Sequence, residues 1–159
     1  MIFQRSIKNE VSTVGVGLHS GEKVRIVLKP AKENSGIIFK RIDTKLPIEI
    51  KIEPKAVKET RLSSTIGKGK FKISTVEHLM SALSASGIDN ILIEVDGSEI
   101  PIMDGSSISF VYLINSAVVC EQSEFKKFAV IKDVIKVEED GKFAKFEPYK
   151  GFLVDFTID

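Results

Sequence analysis

Glu77 and His78 stand side by side at the start of a short amphipathic stretch. An imidazole is a common metal ligand, and a carboxylate next to it can take a proton from water. With about 100° of rotation per helical residue the two side chains diverge, so one can bind an ion while the other reaches a water beside it. A catalytic zinc takes three protein ligands and keeps one position open. This chain offers two histidines, His19 and His78, and one cysteine, Cys120. It reads as half of an active site.

The element that carries the pair is the clearest helix in the sequence. Over residues 74–86, Val76, Leu79, Met80 and Leu83 fall on the i, i+3, i+4, i+7 template, and Gly87 follows where a helix C-terminus expects glycine. Ser74-Thr75-Val76-Glu77 has the form of a capping box, which would give Glu77 a purely structural task at the helix start. His78 lies roughly opposite the apolar stripe, among the small residues Ser81, Ala82 and Ala85. A solvated face more often carries Lys and Glu, so something is expected to pack there. The helix then uses one face against its own sheet and offers the other, with Glu77 and His78 at its rim, to a second structural unit. The partial positive charge of a helix N-terminus disfavours imidazolium and favours carboxylate, which suits a metal ligand beside a general base. A partner-facing His78 with no metal is the other reading.

His19 falls in Val14-Gly15-Val16-Gly17-Leu18-His19-Ser20-Gly21. The glycines are spaced unlike a dinucleotide fingerprint and precede a strand instead of a helix, so that reading fails. A hairpin with close backbone approach fits, with His19 exposed at its tip or in contact with a ligand. Asp104-Gly105-Ser106 reads as a turn feeding the cap of a second helix that runs from Ser106 or Ser107 to about Cys120. That helix is apolar on several sides, as if buried between layers. Cys120 reads as a small buried hydrophobe.

Around these elements the first 73 residues alternate as strands, with turn signals at Gly21, Asn34-Ser35-Gly36 and Gly67-Lys68-Gly69. Asn90 to Val95 returns to strand character. The polar stretch Glu121-Gln122-Ser123-Glu124 suggests a boundary, giving residues 1–121 and 122–159 as two domains. Beyond it three strand-like runs are expected near 126–137, 142–149 and 152–158. No helix covers them, and alternation continues to the last residue, so more chain is expected after Asp159. The fold class is α+β: a mostly antiparallel sheet covered by two helices, then an incomplete β-rich second domain.

The 159 residues include 23 Lys and Arg against 22 Asp and Glu, interspersed, which disfavours nucleic acid as a partner. One cysteine allows no internal disulfide, and neither a signal peptide nor a transmembrane segment is evident, so the cytoplasm is the default.

Four internal segments carry a family resemblance: Gly15-Val16-Gly17-Leu18-His19-Ser20-Gly21, Ile73-Ser74-Thr75-Val76-Glu77-His78-Leu79, Gly87-Ile88-Asp89-Asn90 and Glu99-Ile100-Pro101-Ile102-Met103-Asp104-Gly105-Ser106. With Phe152-Leu153-Val154-Asp155-Phe156-Thr157-Ile158-Asp159 they resemble the UDP-3-O-acyl-N-acetylglucosamine deacetylase family, over about the first half of its length. The resemblance implies a zinc amidohydrolase that removes the N-acetyl group from a UDP-linked acylated glucosamine in lipid A synthesis. It implies that His78 is a zinc ligand and Glu77 the base that activates water. It places His19 near the substrate, and Leu62 and Ser63, within Thr60-Arg61-Leu62-Ser63, at the border of the site. The family's other two zinc ligands, the later histidine that protonates the leaving amine and the acyl-chain loops have no counterpart here. An enzyme portion inactive alone is therefore expected, completed by a C-terminal half in cis or in trans. A non-catalytic binding or regulatory module that pairs with a full-length enzyme is the alternative.

Overall fold

A computed structural model describes residues 1–157, and Ile158 and Asp159 lie outside the described residues. The chain divides into two compact units, residues 1–126 and 127–159.

In the first unit, alternation in the sequence becomes alternation of burial. Strand β1 spans Phe3–Ile7, β2 Val11–Val16, β3 Lys23–Pro30, β4 Ile37–Arg41 and β5 Ile48–Lys51. A 3-10 turn at Pro54–Ala56 leads to β6 Val57–Glu59, β7 Thr65–Lys68 and β8 Phe71–Ile73. Helix α1 covers Glu77–Ala85, β9 Ile91–Val95, α2 Ile108–Ser116 and β10 Val119–Phe125. Five strands form one sheet in the order β2-β3-β9-β4-β5, antiparallel except where β4 runs parallel to β9. β6-β7-β8 form an antiparallel sheet of three, and β1 pairs with β10. The α+β class expected from the sequence is the class observed.

The core is one cluster. Val24, Ile26 and Leu28 of β3, Phe39 of β4 and Ile91, Ile93 and Val95 of β9 meet Leu79, Ala82 and Leu83 of α1 and Phe110 and Ile114 of α2. On the exposed side of the sheet Glu94 bonds Lys29 at 2.8 Å and approaches Lys40 at 3.5 Å. The β1–β10 pair is joined to the sheet by amide side chains. Asn90 donates to Gln4 and Gln122 at 2.8 and 2.7 Å, Gln4 donates to Asn34, and Gln122 donates to the Ala31 carbonyl.

Both helices differ from expectation at their ends. α1 stops as foreseen. Gly87, at φ 67°, donates to the Ser84 carbonyl and Ile88 to that of Leu83, both at 3.0 Å, which is a Schellman closure. It begins two residues beyond the expected capping box, which does not form: the N-cap is Val76, with no side-chain cap. Ser74 is engaged elsewhere, its amide donating to the Ser98 carbonyl and its own carbonyl accepting from Ile100. A pairing 24 residues distant thus overrides the local motif. Ala82, expected on the outer face, is fully buried in the core. α2 ends at Ser116, short of Cys120, because Val118 turns at φ 62° and Val119 and Cys120 pair with Ile7 and Ser6. It is buried along one stripe only, and Tyr112 is 69% exposed. Cys120 is half-buried in a strand.

In the second unit β11, Ile135–Glu139, and β12, Lys142–Phe146, form a hairpin. Its turn is Asp140-Gly141, with φ of 50° and 75°, the primed geometry that Asp-Gly favours. The strand expected at 152–158 is not formed over 152–157. Alternation alone does not hold a strand that lacks a pairing edge.

Candidate functional site

Glu77 opens α1 and His78 follows it, both half-buried, at the helix end where the macrodipole favours an acidic residue. One Glu77 oxygen, Oε2, accepts the Ser64 amide at 3.0 Å, and the Val76 amide donates to the Ser64 carbonyl at 3.3 Å. The loop before β7 is thereby fastened to the first turn of α1. Leu62 lies two residues earlier in that loop, 84% exposed and in the left-handed region at φ 63°, with half-buried Ser63 beside it. The sequence-predicted residues Leu62, Ser63, Glu77 and His78 thus belong to two segments tied together at Ser64.

His19 sits exposed on the turn joining β2 to β3. The glycines before it serve close approach: a Cβ at Gly15 would come within 2.8 Å of Pro101 Cβ, and one at Gly17 within 2.4 Å of Glu99 Oε2. Residues 99–103 run beside the end of β2, where the Ile102 amide donates to the Val16 carbonyl at 3.0 Å. The hairpin expectation for this stretch holds.

Sequence reasoning noticed Glu99 only as a letter in a motif. In the structure it is 2% exposed and accepts the amides of His19 and Ser20 at 3.0 and 2.9 Å and the Thr75 hydroxyl at 2.9 Å. Burial alone would raise its pKa, but the two amides and the hydroxyls of Ser20 and Thr75 outweigh that and bring it from 4.5 to about 2. The only hint in the sequence was an acid set in front of the apolar Ile100-Pro101-Ile102.

Asp104 accepts the Ser106 amide at 3.2 Å and the Ser106 hydroxyl accepts that of Ile108, so this segment is the turn expected of it, while the N-cap of α2, Ser107, makes no side-chain cap bond. The Ser106 amide, working against desolvation, holds the Asp104 carboxyl below its ordinary pKa, helped by the Ser106 and Ser109 hydroxyls. Among the described residues no three His, Cys, Asp or Glu side chains gather as a metal would need. His78 is a single donor, so the described residues do not make a zinc site by themselves.

An α+β domain that presents an acid–imidazole pair at a helix start has clear relatives. Residues 4–159 match the family described as LpxC: UDP-3-O-acyl N-acetylglycosamine deacetylase. The whole chain is 52% identical over 159 residues to a UDP-3-O-acyl-N-acetylglucosamine deacetylase of Thioalkalivibrio sulfidiphilus and covers 52% of that protein. It is 51% identical over 160 residues to the protein of that name from Colwellia psychrerythraea, and 52% over 159 residues to that from Methylococcus capsulatus, again over 52% of each. The chain belongs to the UDP-3-O-acyl-N-acetylglucosamine deacetylase family. It spans about half the length of the curated relatives it matches.

Proposed function

We propose that this chain is the N-terminal portion of a zinc-dependent deacetylase that hydrolyses the N-acetyl amide of UDP-3-O-acyl-N-acetylglucosamine in lipid A biosynthesis. The observation that carries the reading is the Glu77-His78 pair at the first turn of α1, in a chain whose full length matches enzymes of that name. Glu77 is the general base. With one oxygen fixed by the Ser64 amide, its carboxylate has a defined direction in which to accept a proton from the attacking water. His78 supplies one donor to the metal, and the other ligands come from polypeptide outside this sequence, in cis or in trans. In a completed site that includes His78, a zinc ion would supply Lewis acidity toward the amide carbonyl. His19, Leu62 and Ser63 border the substrate.

The domain division at 1–121 and 122–159 belongs to this reading. No described helix is long and apolar enough to cross a membrane, and the reading places the enzyme in the cytoplasm.

Acetate release from the UDP-linked substrate tests the proposal. The purified chain, with or without added zinc, releases none. Joined to a second half of the length its relatives carry, it turns over, and Glu77→Gln then removes activity. Turnover by the 159-residue chain alone would contradict the incomplete site, and an inert joined polypeptide would contradict the activity itself.

A further inference from the structure

The turn that carries His19 and the segment that launches α1 are far apart in sequence, and one buried side chain bonds to both. Oε1 of Glu99 accepts the His19 amide at 3.0 Å and the Thr75 hydroxyl at 2.9 Å, while Oε2 accepts the Ser20 amide at 2.9 Å. Gly17 leaves the space that lets this carboxylate lie against the turn. On the other side Thr75 has φ 57°, a left-handed conformation that β-branched residues avoid, two residues before Glu77 and three before His78. The two backbone amides would suffice to anchor a turn. The third bond, to Thr75, brings in the helix start, and it restrains the residue whose backbone sets the direction from which Glu77 and His78 emerge.

We propose that Glu99 is a positioning residue, a single carboxylate that fixes the His19 turn and the left-handed Thr75 relative to each other and so sets His19 against the Glu77-His78 pair. This rests on the reading of those three residues as the site. The low pKa of Glu99 agrees with it, since the carboxylate stays ionised across the physiological range.

The test uses the 159-residue chain and residue-resolved NMR at neutral pH, with amide hydrogen exchange, on wild type, Glu99→Gln, Thr75→Ser and Thr75→Val. In Glu99→Gln the His19 and Ser20 amides shift upfield and exchange at least about tenfold faster, and the amides of Glu77 and His78 shift with them, while the methyls of Leu79 and Leu83 stay in place. Thr75→Val, which lacks the hydroxyl, perturbs His19 and Ser20 across the bridge, and Thr75→Ser restores the wild-type signals. Changes in Glu99→Gln confined to His19 and Ser20 would overturn the proposal. So would a Thr75→Val chain with undisturbed His19 and Ser20 amides, and this pair decides if Glu99→Gln fails to fold. These signals report geometry and not turnover, so an inactive joined enzyme would refute the deacetylase reading while leaving this result intact.

Discussion

Acid should weaken the first unit through Glu99, and the structure gives the size of the effect. The carboxyl titrates at about 2 in the fold against an ordinary 4.5. Because the folded value is depressed, the stabilisation is fully present above 4.5 and disappears as pH falls toward 2. The difference corresponds to at most about 3 kcal/mol at neutral pH, of which about 2 kcal/mol is gone by pH 3. Urea unfolding between pH 7 and pH 2.5, followed by circular dichroism, measures it. Other carboxyls also titrate there, among them Asp43 and Glu94, whose pKa values are lowered by hydrogen bonds from Arg41 and Lys29. The informative quantity is therefore the difference between wild type and Glu99→Gln. The variant starts less stable at pH 7, since one of its amide hydrogens must face donors, and it loses less on acidification. If the two profiles fall in parallel, the carboxylate at this position carries no charge-dependent stabilisation and the bridge to His19 and Thr75 is not as described.

Further substitutions test the packing and the turn. Leu83→Ala, at a fully buried position between the helices and the sheet, should cost about 2–5 kcal/mol in the same unfolding assay. Val76→Asp places a charge in that seam and should abolish the cooperative transition, so an unchanged melting curve would contradict the assignment of that face. Gly17→Ala must displace either Glu99 or Ser20, and should lower stability and broaden the His19 and Ser20 amide signals. Gly21→Ala lacks any such collision but has φ 67°, so its cost should be about 1 kcal/mol, from backbone strain alone.

What the sequence made legible was local. The stripe Val76, Leu79, Leu83 lies in the core, and Gly87 closes the helix, because both signals come from residues within one or two turns of each other. Asp140-Gly141 made its turn for the same reason. The capping box failed through a contact no window contains: Ser74 pairs with Ser98 and Ile100, and the backbone at Thr75 swings left-handed before the helix begins. The end of α2 was misplaced because Val118 and Val119 fit an apolar helix face equally well, and only the presence of β1 decides that Val119 is a strand. The parallel contact of β4 with β9, which lies across a long stretch of chain, leaves no periodic trace. At the candidate site, Glu77 and His78 stand out in the sequence by residue type and position, and the role read from them is the one proposed. Glu99 does not, since nothing in its neighbours announces that a carboxylate will be buried against two backbone amides.

The pairing of β1 with β10 has a consequence for how the protein is made. Phe3 stacks on Phe125 with ring centroids 5.1 Å apart, so the first strand finds its partner only after residue 125 has left the ribosome. Until then β1 has no strand to pair with, and Asn90 lacks its bond to Gln122. Pairing of β1 thus waits for β10, and the stretch following Lys126 is already being synthesised when residues 3–7 settle.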